Sequence, residues 1–188
     1  MGTSVGVDDY VKGVLPYEMS PSWPLEALKA QAVASYTYAK KICEQNGKHK
    51  ESSLGEADIT DSPGMHQGYL NEALRREKWG EKADEYEKKT AAAVDEVFGF
   101  YLGYEGETAL AVYHAISAGS TQSAKSLWGS EIPYLTSVES PGDRLSPDYI
   151  STAEFSQSEF RKLAKKCGKL AGESRKNTRG LCDGHNAR

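Results

Sequence analysis

Between residues 25 and 42 the positions Leu25, Leu28, Ala32, Ser35, Ala39 and Ile42 recur at steps of three and four. That spacing lays one face along an α-helix. Pro24 suits the first helical position, where its missing N–H is no loss. Glu26 complements the positive end of the helix dipole. Asn46–Gly47 predicts the stop. The face is made largely of small residues, so the helix is expected to pack closely on a neighbour. Residues 47–68 are polar, rich in Gly, Ser and Asp, and have no period, which predicts a long loop. A short helix is expected from Asn71 to Trp79, broken at Gly80. A second is expected from about Lys82 to Val97, carried by Ala83, Tyr86, Thr90, Ala93, Val94 and Val97.

The period then changes. Phe100, Leu102 and Tyr104 alternate with residues of the other face, Glu105–Gly106 is a turn signal, and Ala109–Ile116 is rich in β-formers and alanine. The pattern predicts a hairpin. Pro133–Val138 predicts one more short strand. Ser156 and Glu159 form a capping box ahead of Phe160, Leu163, Ala164 and Cys167, with Gly168 as the stop. From Lys169 on, five Lys or Arg stand against two acids with only scattered apolar groups. Such a segment buries little, so residues 169–188 are expected to be a disordered or divergent tail. The fold class that emerges is α+β: helices packed on a small antiparallel sheet, in a single domain over 1–168.

Composition narrows the partners. A length of 188 residues with 38% hydrophobic residues supports one sizeable core. A net charge of −4 argues against a nucleic-acid partner, which would require a basic face. Three widely spaced cysteines, Cys43, Cys167 and Cys182, are not a disulfide framework and leave the redox compartment open. Cys182 and His185 have no second ligand pair nearby, so no metal is expected there. No run of 18 apolar residues is present, so no membrane segment is expected in this chain. The start Met1-Gly2-Thr3-Ser4 lacks the charged-then-apolar pattern of a leader.

Candidate chemistry gathers in Val14-Leu15-Pro16-Tyr17-Glu18-Met19, where one carboxylate stands among apolar and aromatic neighbours and Trp23 follows. Such surroundings strip hydration from the charged form and raise the pKa. A carboxyl kept protonated near neutrality is ready to serve as a general acid. The plainer reading is a capping or solvated glutamate, and spacing alone does not decide between them.

Read together, Tyr10-Val11-Lys12-Gly13-Val14-Leu15-Pro16-Tyr17-Glu18-Met19 and Trp23-Pro24-Leu25-Glu26-Ala27-Leu28-Lys29-Ala30-Gln31-Ala32-Val33-Ala34 resemble the signature of the SpoIID/LytB (stage II sporulation protein D) family. The likeness continues more loosely through Asp58–Ser62, Gln67-Gly68-Tyr69, Ala111–Thr121 and Trp128–Val138, and so covers about residues 8–160. Enzymes of that family are lytic transglycosylases. They cut peptidoglycan glycan strands between N-acetylmuramic acid and N-acetylglucosamine and leave 1,6-anhydro ends. The resemblance implies Glu18 as the catalytic acid. A single carboxyl suffices for that mechanism, in contrast to hydrolases with paired carboxylates.

Substrate contacts are expected from Tyr17, Tyr38, Gln67 and Tyr69, and from His114, Ser117, Thr121 and Trp128. Each has a plainer role as well. His114 and Trp128 suit structural packing, Gln67 and Tyr69 suit loop anchoring, and Ser117 and Thr121 suit local backbone bonds. Some family members are thought to bind zinc, but His66 has no cysteine partners here, so no metal and no cofactor are expected. The implied partner is peptidoglycan, with a cell-wall amidase or an engulfment-type complex beside it. The implied location is outside the cytoplasm, at the wall or anchored to the membrane in the full-length protein. The alternatives are a non-catalytic wall-binding module that enhances an amidase, and an interaction domain with no glycan role.

Three positions depart from the family pattern. Tyr36-Thr37-Tyr38 stands where Arg-Thr-Tyr is usual, and Ala118 stands where glycine or cysteine is common. Gly180–His185 does not match the family's glycine- and histidine-rich C-terminal segment, so the tail is expected to be divergent or the domain to continue beyond it.

Overall fold

The computed structural model describes residues 4–48 and 54–167. The expected tail at 169–188, the stop at Gly168 and the Cys182–His185 pair lie outside the described residues. The fold is α+β and mainly helical. Two compact units are present: one runs up to Ala115 and includes Ser123–Thr136, and the other joins Ile116–Gln122 to the residues from Ser137 on.

The first unit is built on α1 (Val7–Glu18), α2 (Leu25–Lys48), α3 (Glu72–Trp79) and α4 (Ala83–Val97). Its core is a cluster of Val11 and Leu15 from α1, Leu28 and Ala32 from α2, and Ala93 and Val94 from α4. Small residues at 32 and 93 let the helix backbones approach closely, so the apolar side chains leave water almost completely. α1 is the element that the hydrophobic pattern did not announce. Val7, Tyr10, Val11, Val14 and Leu15 do have helical spacing, but Gly13 and Pro16 interrupt it. Burial against α2 and α4 outweighs those two weak helix formers. α2 also runs through Asn46 and Gly47 to Lys48, past the expected stop.

The other helices follow their signals. Asn71 caps α3 by accepting from Leu74 N at 2.9 Å, and Gly80 ends it with φ +54°. The hairpin pairs β1 (Gly103–Tyr104) with β2 (Glu107–Thr108) in antiparallel register, Tyr104 opposite Glu107. Glu105 and Gly106 both have positive φ, 50° and 84°, as a two-residue type I′ turn requires. α2 carries the hairpin: buried Thr37 accepts from Leu102 N at 3.0 Å, and Thr108 donates to Glu44 at 3.0 Å. Ala109–Ile116 and Pro133–Val138 are not ladder strands, contrary to expectation. They run extended or turned, held by single bonds such as Leu110 N to the Tyr134 hydroxyl at 2.8 Å. Their β-forming residues describe a half-buried surface rather than a strand with a partner. α5 (Ala124–Trp128) completes this unit.

In the second unit, residues 157–167 are helical behind the expected capping box. Ser156 N donates to Glu159 at 2.9 Å, and Glu159 N returns a bond to the Ser156 hydroxyl at 3.3 Å.

One ion pair in the first unit fixes the segment that matters most below. Arg75 grips Glu87 through two parallel bonds of 2.8 and 3.0 Å and donates a third, at 2.9 Å, to the Leu70 carbonyl. Leu70 N in turn bonds the Gly13 carbonyl of α1 at 3.0 Å. Residues 67–70 are thereby clamped along α1. Any side chain at Gly13 would meet the Tyr69 ring at 2.1 Å and the Leu70 carbonyl at 2.9 Å.

Three stability outcomes are expected in thermal or urea unfolding. Arg75→Met leaves Glu87 without its partner and destabilises by about 3 kcal/mol, much of it regained by adding Glu87→Leu. Gly13→Ala destabilises by roughly 1–3 kcal/mol through the clash with Tyr69. Glu105→Asn suits the left-handed turn position and stabilises by roughly 0.5 kcal/mol.

Candidate active site around Glu18

Glu18 is the last residue of α1, and Met19 N closes the helix by donating to Leu15 O at 2.9 Å. The last turn of α1 carries no basic residue, so the carboxyl meets the negative end of the helix dipole uncompensated. The residue as a whole is exposed, yet its carboxyl is partly withdrawn from water. Desolvation raises its pKa above the ordinary value of 4.5, and a hydrogen bond from Tyr113 offsets part of that rise. It has no ion-pair partner among the described residues. This is the environment expected of a carboxyl biased toward its neutral form.

Tyr113 connects Glu18 to a largely buried polar chain. Its phenol oxygen accepts from Gln67 Nε2 at 2.9 Å and is also bonded to the Ser35 hydroxyl. Gln67 Nε2 donates a second bond, 3.3 Å, to the Ser35 carbonyl, and Gln67 Oε1 accepts from the Tyr10 hydroxyl at 3.3 Å. Gln31 Nε2 donates to the Ser35 hydroxyl at 3.2 Å. Burial pushes the phenols of Tyr10, Tyr38 and Tyr113 above their ordinary pKa, so all three remain neutral donors near pH 7. Tyr10 stacks flat on Tyr69, ring centroids 5.8 Å apart, and the Tyr17 ring lies on Gly68 so closely that a side chain there would meet it at 2.3 Å.

Among the expected residues, Glu18, Tyr17, Tyr38, Gln67 and Tyr69 therefore belong to one neighbourhood. Gln67 is only 3% exposed, with its amide committed to Tyr10, Ser35 and Tyr113. His114 is exposed, as is Trp128 on α5. Ser117 and Thr121 lie in the second unit and tie its loop together. The Ser117 hydroxyl donates to Asp143 at 2.5 Å, and Thr121 Oγ1 accepts from Val138 N at 3.0 Å. Tyr36, at the position of the family arginine, packs on the helical core with its ring 6.0 Å from Phe98. His66 accepts from Thr60 N through Nδ1 at 3.2 Å, so that nitrogen is occupied within its own loop.

Sequence reasoning passed over Tyr113 in favour of its neighbour His114. The structure makes the distinction: Ala111 is buried, Val112 exposed, Tyr113 half-buried and His114 exposed. That alternation turns Tyr113 inward and His114 outward. Ser35 was legible only as a member of a helix face, and Tyr10 only within the family signature.

The comparisons with known proteins identify the family. The family model SpoIID, described as Stage II sporulation protein, matches residues 3–104. The chain belongs to the SpoIID family. It is 35% identical over 178 residues to Stage II sporulation protein D of Bacillus subtilis (strain 168), covering 91% of this chain and 51% of that protein. With Stage II sporulation protein D of Bacillus amyloliquefaciens the identity is 34% over 157 residues, 84% of this chain and 45% of the relative. A protein named Amidase enhancer, from B. subtilis (strain 168), is 31% identical over 133 residues, 71% of this chain and 15% of its own length. The chain thus spans about half the length of the SpoIID relatives it matches, 51% and 45%. Among the described residues no helix is long and apolar enough to cross a membrane.

A pH test follows from the raised pKa of Glu18. A group whose folded pKa exceeds its unfolded value supports folding fully below the unfolded pKa and loses that support as pH rises through the folded pKa. Glu18→Gln mimics the neutral form. Its melting temperature should exceed the parent's at pH 7, and the difference should vanish near pH 4. A difference that is the same at both pH values contradicts the assignment.

Proposed function

We propose that the chain is the cleavage domain of a peptidoglycan lytic transglycosylase acting outside the cytoplasm, with Glu18 as its general acid. The observation that carries this reading is a partly desolvated carboxyl with one hydrogen-bonding tyrosine and, among the described residues, no cation paired with it. Protonated Glu18 gives its proton to the glycosidic oxygen as the bond from C1 of N-acetylmuramic acid breaks. An oxocarbenium-like centre develops at C1. The sugar's own C6 hydroxyl then attacks C1, and its proton returns to the Glu18 carboxylate. A 1,6-anhydro end forms, no water is consumed, and the acid is regenerated. One carboxyl serves both steps, so a partner carboxylate at fixed separation is not required. Tyr113 supports the second half of the cycle, because its donated proton stabilises Glu18 once it is ionised. Exposed Tyr17 beside Gly68 offers a ring for a sugar face.

A second reading is favoured by the similarity to the protein named Amidase enhancer: a wall-binding module that promotes a partner amidase without cutting glycan itself. Purified glycan strands separate the two. The parent should release 1,6-anhydromuropeptides identifiable by mass spectrometry, and Glu18→Gln should lower the rate at least 100-fold, the usual scale for losing a general acid. Equal release from both proteins removes Glu18 as the acid. Sedimentation of the parent with insoluble peptidoglycan, without anhydro product, supports the enhancer reading.

A further inference from the structure

We propose that Gln67 is a positioning residue for Glu18: its buried amide sets the polarity of a hydrogen-bond chain so that the Tyr113 proton points at the Glu18 carboxyl. The proposal rests on the reading of Glu18 as the acid and goes beyond it. It also gives Gln67 a role other than contact with sugar.

Hydrogen-bond satisfiability sets the direction of each link. The Ser35 carbonyl is purely an acceptor, so the group facing it at 3.3 Å is the NH2 end of Gln67. That choice leaves the second Nε2 hydrogen for Tyr113 Oη, 2.9 Å away, and Oε1 for the Tyr10 hydroxyl, 3.3 Å away. The Ser35 hydroxyl, which accepts from Gln31 at 3.2 Å, is a further polar neighbour of Tyr113. With Gln67 donating to Tyr113 Oη, the phenol proton is directed away from the amide. The Glu18 carboxyl, which when ionised is purely an acceptor, is the partner that takes it.

A tyrosine without the Gln67 donor can turn its hydroxyl in either direction of the ring plane. With it, the orientation is fixed before substrate arrives, which is what preorganised electrostatic support requires. Gln67 itself is held by elements far apart in sequence. Tyr10 comes from α1 and Ser35 from α2, and the clamp of Arg75 on Leu70 fixes the backbone nearby. The titratable groups that act on this chain are Glu18 and Tyr38 around Tyr113, and Cys43, Tyr38, Tyr113 and Asp61 around Tyr10. None is a cation that would reverse the direction of the bonds.

The test is a double-mutant cycle of Gln67→Met and Tyr113→Phe on the chain, read in two ways. Steady-state cleavage of purified glycan strands gives kcat and KM. Carbon-13 NMR of the Glu18 side-chain carboxyl gives its titration midpoint, which needs a folded protein but no activity. Gln67→Met should lower kcat roughly fivefold with KM unchanged, the scale of one hydrogen bond. On the Tyr113→Phe background the same change should alter kcat less than twofold. The Glu18 midpoint should move upward in Gln67→Met, as it does in Tyr113→Phe, with no further movement in the double variant. If Gln67→Met does not fold, Gln67→Asn retains the amide but shortens its reach, and the same pattern is expected. A raised KM with additive losses assigns Gln67 to sugar contact and overturns the proposal. An unmoved Glu18 midpoint in a folded Gln67 variant overturns it equally. Absence of anhydro product from the parent refutes the transglycosylase reading instead, and the titration cycle still decides the hydrogen-bond chain.

Discussion

The arrangement depends on a balance at a single carboxyl. Burial and the negative end of α1 push Glu18 toward its neutral form, while the Tyr113 hydroxyl favours the charged form. Desolvation is the larger influence, so the net shift is upward. A general acid that must also act as a base needs both influences. Burial alone would hold the proton too firmly, and a cation in place of Tyr113 would hold the residue ionised. A neutral phenol supplies a directed hydrogen bond without adding a charge.

The scaffold serves that balance. α1, α2 and α4 make one apolar core, and the same helices present Tyr10 and Ser35 to the polar chain behind Glu18. The segment 67–70 is irregular backbone, and it is tied down twice, by Gly13 of α1 and by Arg75 of α3. The glycines at 13 and 68 are needed because the Tyr69 and Tyr17 rings occupy the space a side chain would fill. Close ring-on-backbone packing holds this segment against α1.

Much of this could be read from the sequence, and the failures have physical causes. α3 and α4 were legible because the break at Gly80 separates them and α4 keeps a clean helical period. The hairpin turn was legible from Glu105–Gly106. α1 was not, because Gly13 and Pro16 are poor helix formers whose presence is explained only by tertiary contacts. The strands expected at 109–116 and 133–138 were suggested by β-forming residues that cover a surface without a ladder partner. At the site, Glu18 stood out through the family resemblance and its apolar setting. Tyr113 did not, since a hydrogen-bond chain linking residues 10, 35, 67 and 113 crosses too many elements to leave a local pattern.

The most direct measurement is a carbon-13 NMR titration of the Glu18 carboxyl in the unmodified chain. A midpoint clearly above the ordinary glutamate value of 4.5 supports an acid held neutral by its surroundings. A midpoint at or below that value means the group is ionised at working pH, and contradicts the account.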